Sequence, residues 1–284
     1  MVERLAIVGV GLIGGSFALA ARAAGLVREV VGFGRRRANL ELALERGAID
    51  RRADTLADAA ADADVIMLAA PVGACIDLAR ALRPAARPDA LLTDVGSVKA
   101  SLVTGLEDVW GAARVVGAHP IAGSEQTSIA AARADLFRNR RCVLTPTGRT
   151  APDALALVRR LWEGVGAVVE TMDAARHDEL LARVSHAPHL IAYALVDAVS
   201  ASADGAAALA LAGSGFADTT RIAASAPALW RDIALANAPA VRAALAEFRT
   251  TLATVEEALA RGDGVALEAL MERARRARAR LGGA

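Results

Sequence analysis

Residues 5–16 read L-A-I-V-G-V-G-L-I-G-G-S, and few folds accommodate that string. A short apolar run (Leu5, Ala6, Ile7, Val8) passes straight into glycines at 9, 11 and 14, then into the helix-forming Phe17-Ala18-Leu19-Ala20-Ala21. A strand, a tight turn and a helix start placed in that order form a cradle for a dinucleotide pyrophosphate. Gly9 permits the turn, Gly11 lets the backbone approach the phosphates, and Gly14 allows strand and helix to pack closely. The free N–H groups and positive dipole end of the helix then face the anion. Gly9, Gly11, Leu12, Ile13 and Gly14 are therefore the first candidate cofactor contacts. Ala70 and Pro71, just past an expected strand at 65–69, are the next. A glycine-rich turn in an ordinary βα unit would leave a similar trace.

The first 172 residues alternate short apolar runs with longer alanine-rich or amphipathic stretches. Strands are expected at 4–8, 29–33, 65–69, 90–94, 114–118, 142–145 and 167–171, and helices at 40–46, 72–82 and 154–164. Repeated βα alternation predicts an α/β fold with a parallel, doubly wound sheet covered by helices on both faces. From Asp173 the pattern changes. Helix-period segments follow one another at 177–200, 206–211, 238–260 and 265–281, with no convincing strand between them. Two domains are expected, residues 1–172 binding the dinucleotide and residues 173–284 forming an all-helical domain.

Composition narrows the function class. The chain has 284 residues, 33 basic and 32 acidic, so its net charge of +1 gives no electrostatic case for nucleic acid or an acidic membrane. No stretch reaches the ~20 apolar residues of a membrane span. The N-terminal apolar run is too short and glycine-rich for a signal peptide, which points to the cytoplasm. Cys75 and Cys142 stand far apart without metal or redox spacing, as reduced core residues do. The basic end of the last helix, Arg273 to Arg280, is expected to be a solvated face.

The end of the second strand discriminates between the two nicotinamide dinucleotides. An acid there accepts hydrogen bonds from a ribose 2′-hydroxyl, whereas nearby arginine accommodates a 2′-phosphate. This chain reads V-V-G-F-G-R-R-R, with Gly34 in the acid's place and Arg35 and Arg36 behind it. The missing carboxylate and the added guanidinium forks favour NADP over NAD. A merely solvated arginine turn is the alternative.

Three polar clusters fall near expected strand ends or helix starts. They are D-V-G-S-V-K at 94–99, G-A-H-P-I-A-G-S-E at 117–125, and S-H-A-P-H-L at 185–190 with D-T-T-R-I-A at 218–223. His119, at a strand's carboxyl end, is placed to take a hydroxyl proton as general base; a buried structural histidine would look alike. Ser97 suits orienting that imidazole, or capping the helix that follows. Arg221 suits a bidentate carboxylate clamp, or the surface. His186 and His189 share a helix face but lack a third ligand at metal spacing, so no metal is expected.

These motifs in this order, with Trp230-Arg231-Asp232-Ile233 and Asn237, resemble the prephenate dehydrogenase family, including its arogenate and cyclohexadienyl members. The resemblance spans about residues 5–237. It implies a Rossmann-type domain joined to a helical domain that forms an intertwined homodimer. It also implies oxidative decarboxylation of prephenate or arogenate with NAD(P)+ on the route to tyrosine. Carried over residue by residue, His119 is the catalytic base, Ser97 the active-site serine, and Arg221 the carboxylate-binding arginine. His189 lines the same pocket, and the role of His186 stays open. Ser124 and Glu125 join the substrate contacts. Glu125 is open between pairing an arogenate ammonium, gating the pocket and pairing a neighbouring arginine. Neither a preceding chorismate mutase segment nor a C-terminal regulatory domain is expected, so feedback by tyrosine would act at the active site. The rivals are another two-domain NADP-dependent reductase, such as a β-hydroxyacid dehydrogenase, and a non-catalytic dinucleotide sensor.

Overall fold

The computed structural model describes residues 1–123 and 128–283. In chain order its elements begin β1 (Val2–Val8), α1 (Leu12–Ala23), β2 (Val27–Phe33), α2 (Arg37–Glu45), β3 (Arg51–Arg52), α3 (Leu56–Ala60) and β4 (Val65–Leu68). There follow α4 (Val72–Leu82), β5 (Leu91–Asp94), α5 (Ala100–Trp110), β6 (Val115–Pro120), β7 (Arg141–Thr145), α6 (Pro152–Gly164) and β8 (Val168–Thr171). After β8 every described element is helical: α7 (Ala174–Leu181), α8 (Ala187–Ser200), α9 (Gly205–Ala210), α10 (Ser214–Thr220), α11 (Pro227–Ala236), α12 (Ala238–Arg261) and α13 (Gly264–Ala279), with short 3-10 turns.

The eight strands form one sheet in the order β3-β2-β1-β4-β5-β6-β7-β8. The first six are mutually parallel and doubly wound, and the order reverses between β1 and β4, where such sheets bind ligands. The expectation of an all-parallel sheet needs correction at one edge. β7 pairs antiparallel with β6, His119 opposite Val143, and β8 then runs parallel to β7. The segment between β6 and β7 contains no crossover helix among its described residues, and a parallel return needs one. β3 was also not expected; two arginines carry no apolar period to announce it.

Continuous apolar strands bury both faces of the sheet. Leu5, Ile7, Val30 and Met67 point into a core with Phe17, Phe137 and Trp162, while Ala6, Val8, Ile66 and Leu68 point into the opposite one with Leu82 and Leu106. Phe17 and Trp162 meet edge to face at 4.8 Å, so α1 and α6 interlock over the first face. A third, smaller apolar cluster of Val72, Val98, Trp230 and Ile233 brings the starts of α4 and α5 against α11.

The single helix expected over 177–200 is interrupted. A π turn at Ala182–His186 separates α7 from α8, and Pro188 in the first turn of α8 explains part of the break, since it offers no N–H to the turn before it. The chain forms two compact units, Met1–Ala238 and Pro239–Ala284. In the second, α13 buries no residue, and Phe248, Leu252, Leu259, Val265 and Met271 are exposed. In its basic end Arg275 and Arg276 both pair with Glu272. No described helix is long and apolar enough to cross a membrane.

Candidate active site

The glycine turn has the geometry that its sequence requires. Gly9 sits at φ +109°, and a Cβ there would lie 2.3 Å from the Ala69 carbonyl oxygen, so the turn is pressed against the end of β4. A Cβ on Gly14 would meet the Gly9 oxygen at 2.4 Å, which is the close strand–helix approach. Gly11 caps α1 in an extended conformation with no side-chain hydrogen bond. The first amides of the helix, those of Leu12 and Ile13 among them, are thus left for a ligand. Ala70 and Pro71 lead into α4 beside this turn, with Pro71 as its N-cap. Turn, orphan amides and switch point together fit a dinucleotide.

At the end of β2, Gly34 has ordinary space around it. A Cβ would lie 3.7 Å from Leu40, so packing does not forbid an acid at this position. Arg37 pairs with Glu41 at 2.9 Å. Arg35 and Arg36 are exposed, and no carboxylate among the described residues pairs with either.

The candidate reactive residues gather where β5 and β6 end. Lys99 and Asp94 form an ion pair that is wholly buried, and the Lys99 ammonium also donates to the Ala118 carbonyl at 2.9 Å. Gly96 N–H donates to Asp94 at 2.7 Å. The pair thereby ties the loop after β5 to the strand carrying His119. Half-buried at the end of β6, His119 has its Nδ1 2.8 Å from Nε2 of His177, and its own Nε2 has no hydrogen-bond partner among the described residues. Burial pushes the His119 imidazole well below the ordinary histidine value of 6.5, helped by His177, Lys99 and His186. The ring is therefore neutral at neutral pH.

Ser97 is half-buried in the loop between Asp94 and Lys99, and it does not cap α5. Asp178 does so instead, accepting from the Lys99 and Ala100 amides at 2.8 Å each. Burial lowers His186 to about 4; its ring lies against the Ser97 main chain and its Nε2 makes no hydrogen bond of ordinary geometry. Asn237 joins the two helical stretches, its Nδ2 lying 3.1 Å from His186 Nδ1 and donating to the Asp178 carbonyl at 2.9 Å.

His189 stacks on Trp230 with centroids 3.4 Å apart and holds Ser185 O at 2.9 Å through Nδ1. Its pKa is lowered by burial, and Arg221 stands near enough to lower it further. Arg221 itself is exposed at the start of a 3-10 turn, which Tyr193 steadies by donating to the Ser225 carbonyl at 2.6 Å. Ser124 and Glu125 lie outside the described residues. The structure thus brings Ser97, His119 and His186 around one buried cluster and sets Arg221 beside His189. His177 and Asp178 escaped the sequence reading, although His177 is one of only four histidines and stands next to an acid.

Comparison with known proteins places the chain in a family. The chain matches the nucleotide-binding domain of prephenate dehydrogenase over residues 17–171 and the family's dimerization domain over residues 173–273. It belongs to the prephenate dehydrogenase family. Cyclohexadienyl dehydrogenase of Zymomonas mobilis is 37% identical over 92% of this chain and 90% of that protein. A crystal structure of Aquifex aeolicus prephenate dehydrogenase in complex with hydroxyphenyl propionate and NAD+ matches with a TM-score of 0.90 at 37% identity, covering 96% of each chain. Synechocystis arogenate dehydrogenase matches with a TM-score of 0.84 at 31% identity, covering 98% of this chain and all of that one. Family membership and these relatives establish a nicotinamide-dinucleotide-dependent dehydrogenase and set aside the sensor and β-hydroxyacid readings.

Proposed function

We propose that this member of the prephenate dehydrogenase family oxidatively decarboxylates prephenate or arogenate in tyrosine biosynthesis, with NADP+ preferred over NAD+. The observation that carries the chemistry is His119, a neutral imidazole at the carboxyl end of β6 with one ring nitrogen that no described residue engages.

Gly9, Gly11, Leu12, Ile13 and Gly14 hold the cofactor pyrophosphate, Ala70 and Pro71 flank it, and Gly34, Arg35 and Arg36 receive the 2′-phosphate. Support for the last assignment is the pair of uncommitted guanidinium groups and the room, left unused, for an acid at position 34. The bound nicotinamide supplies the hydride acceptor. His119 accepts the proton of the ring hydroxyl, and Ser97 orients that hydroxyl. As the ring carbon becomes a ketone, the conjugated ring becomes an electron sink, and loss of carbon dioxide from the opposite carbon makes it aromatic. Arg221 clamps a substrate carboxylate beside His189, so that positioning supplies much of the rate. Ser124 and Glu125 complete the substrate contacts in this reading.

The functional division falls at Asp173, as the two matched family domains suggest. We further infer a cytoplasmic homodimer joined through the helical domain. The family's dimerization domain and the exposed apolar side chains of α12 and α13 support it.

The deciding experiment assays purified protein with prephenate and arogenate, each against NAD+ and NADP+. Turnover of at least one substrate, with a higher kcat/KM for NADP+, is expected. No turnover with either substrate overturns the proposal, and equal use of both cofactors removes the NADP assignment alone.

A further inference from the structure

Asp178 sits at the bottom of a hydrogen-bond chain whose direction can be worked out. Its carboxylate already accepts from the Lys99 and Ala100 amides at the positive end of α5, which holds it in its acceptor form. The contact of its Oδ1 with His177 Nδ1, at 2.8 Å, therefore has the imidazole as donor. With one N–H on the His177 ring, spent on Asp178, its Nε2 is bare and accepts. It lies 2.8 Å from His119 Nδ1, which must then carry hydrogen. The remaining nitrogen, His119 Nε2, keeps its lone pair and has no partner among the described residues.

We propose that His177 and Asp178 are positioning residues for the oxidative step, locking His119 in its Nδ1–H tautomer with Nε2 aimed at the substrate hydroxyl. This rests on His119 being the base. The hydroxyl proton passes to Nε2, and the O–H electron pair closes the carbonyl as hydride leaves the same carbon with the C–H pair. Decarboxylation returns an electron pair through the ring to the oxygen, which takes the proton back from Nε2. While His119 is charged, its Nδ1–H stays bonded to His177, and the Asp178 charge acts through that ring, as the acid does in other base-orienting triads. The groups facing His119 act against premature charging. Lys99, beside Asp94, approaches from the start of α5, and His186 from the π turn.

The π turn has a part in this assembly. His177 and His186 are nine residues apart, half a turn out of phase on an uninterrupted α-helix. A π turn advances less per residue, and here both residues reach one network through Asp178 and Asn237.

With only four histidines, the ring-nitrogen spectrum of protein labelled with 15N-histidine reads each tautomer directly. Wild type should show His119 with a bare Nε2. His177→Leu should scatter that signal into a tautomer mixture and lower kcat about 10²-fold, with KM for substrate and cofactor within about twofold. His177→Gln, whose carbonyl can accept from His119, should recover about tenfold of the loss. A folded His177→Leu protein with unchanged kcat, or an unchanged His119 tautomer, overturns the proposal. So does a wild-type spectrum with the proton on Nε2, whether or not the leucine variant folds. If the spectrum shows the expected tautomer and no substrate turns over, the enzymatic reading fails and the relay stands.

Discussion

The glycine turn and the histidine cluster are the two halves of the proposed site but are supplied in different ways. Residues 9–14 come from one unbroken stretch, and their geometry follows from local φ and helix capping, with Ala69 at the end of β4 as the one remote contact. His119 and His177 are 58 residues apart, and Asn237 reaches Asp178 from 59 residues further on. A site made by neighbours in sequence is recognisable as a string. One made by neighbours in space needs the sheet order, the antiparallel β7 edge and the π turn before its members meet. Cofactor binding and proton chemistry should therefore separate under mutation.

The largest separation is expected from His119→Ala. It should lower kcat by ~10²–10⁴ while leaving the dissociation constant of NADP+ nearly unchanged, measured by fluorescence titration. A matching loss of cofactor affinity would merge the two regions and make His119 structural.

Arg221→Ala should act on the substrate alone. Loss of a charge-assisted carboxylate contact costs about 1.5–3 kcal/mol, so substrate KM should rise ~10–150-fold at constant cofactor KM. An unchanged substrate KM removes Arg221 from the clamp.

On the other side, replacing Arg35 and Arg36 together by serine should weaken NADP+ about tenfold or more and leave NAD+ kinetics and substrate KM in place. Equal effects on both cofactors would make the arginine turn a solvated surface.

The smallest effect is on the pH profile. Because burial lowers His119 below 6.5, kcat/KM should stay level as pH falls to 6.5 and be lost only at lower pH, as the ring charges. An acid limb at or above 6.5 contradicts this. His186, lowered to about 4, has the same sign for stability: between 6.5 and about 4 the unfolded chain binds more protons, so the fold weakens on acidification through that window. Thermal melting from pH 7 to 4 measures it.

Much of this is legible in the sequence. Seven strands and the helix at 72–82 follow from apolar runs and helical period, and the wholly helical character after β8 follows from the change of pattern. The missed elements share a cause. β3 is two arginines long, the direction of β7 depends on what joins it to β6, and the π turn is a local loss of phase inside an otherwise helical period. Ser97 illustrates the limit at single residues: a serine before a helix reads as a cap, but the Asp178 carboxylate takes that place from another helix.

By itself the sequence determined the dinucleotide turn, the α/β-then-helical order, and which residue types could bind a phosphate, a carboxylate or a proton. These properties are local, set by backbone sterics and by the charge each side chain carries. Only the tertiary structure decided that Lys99 would be buried against Asp94, that His177 would face His119, and which ring nitrogen would be left free. Those outcomes depend on desolvation and on donor–acceptor counting among groups that are remote along the chain, so they exist only once the fold has brought the groups together.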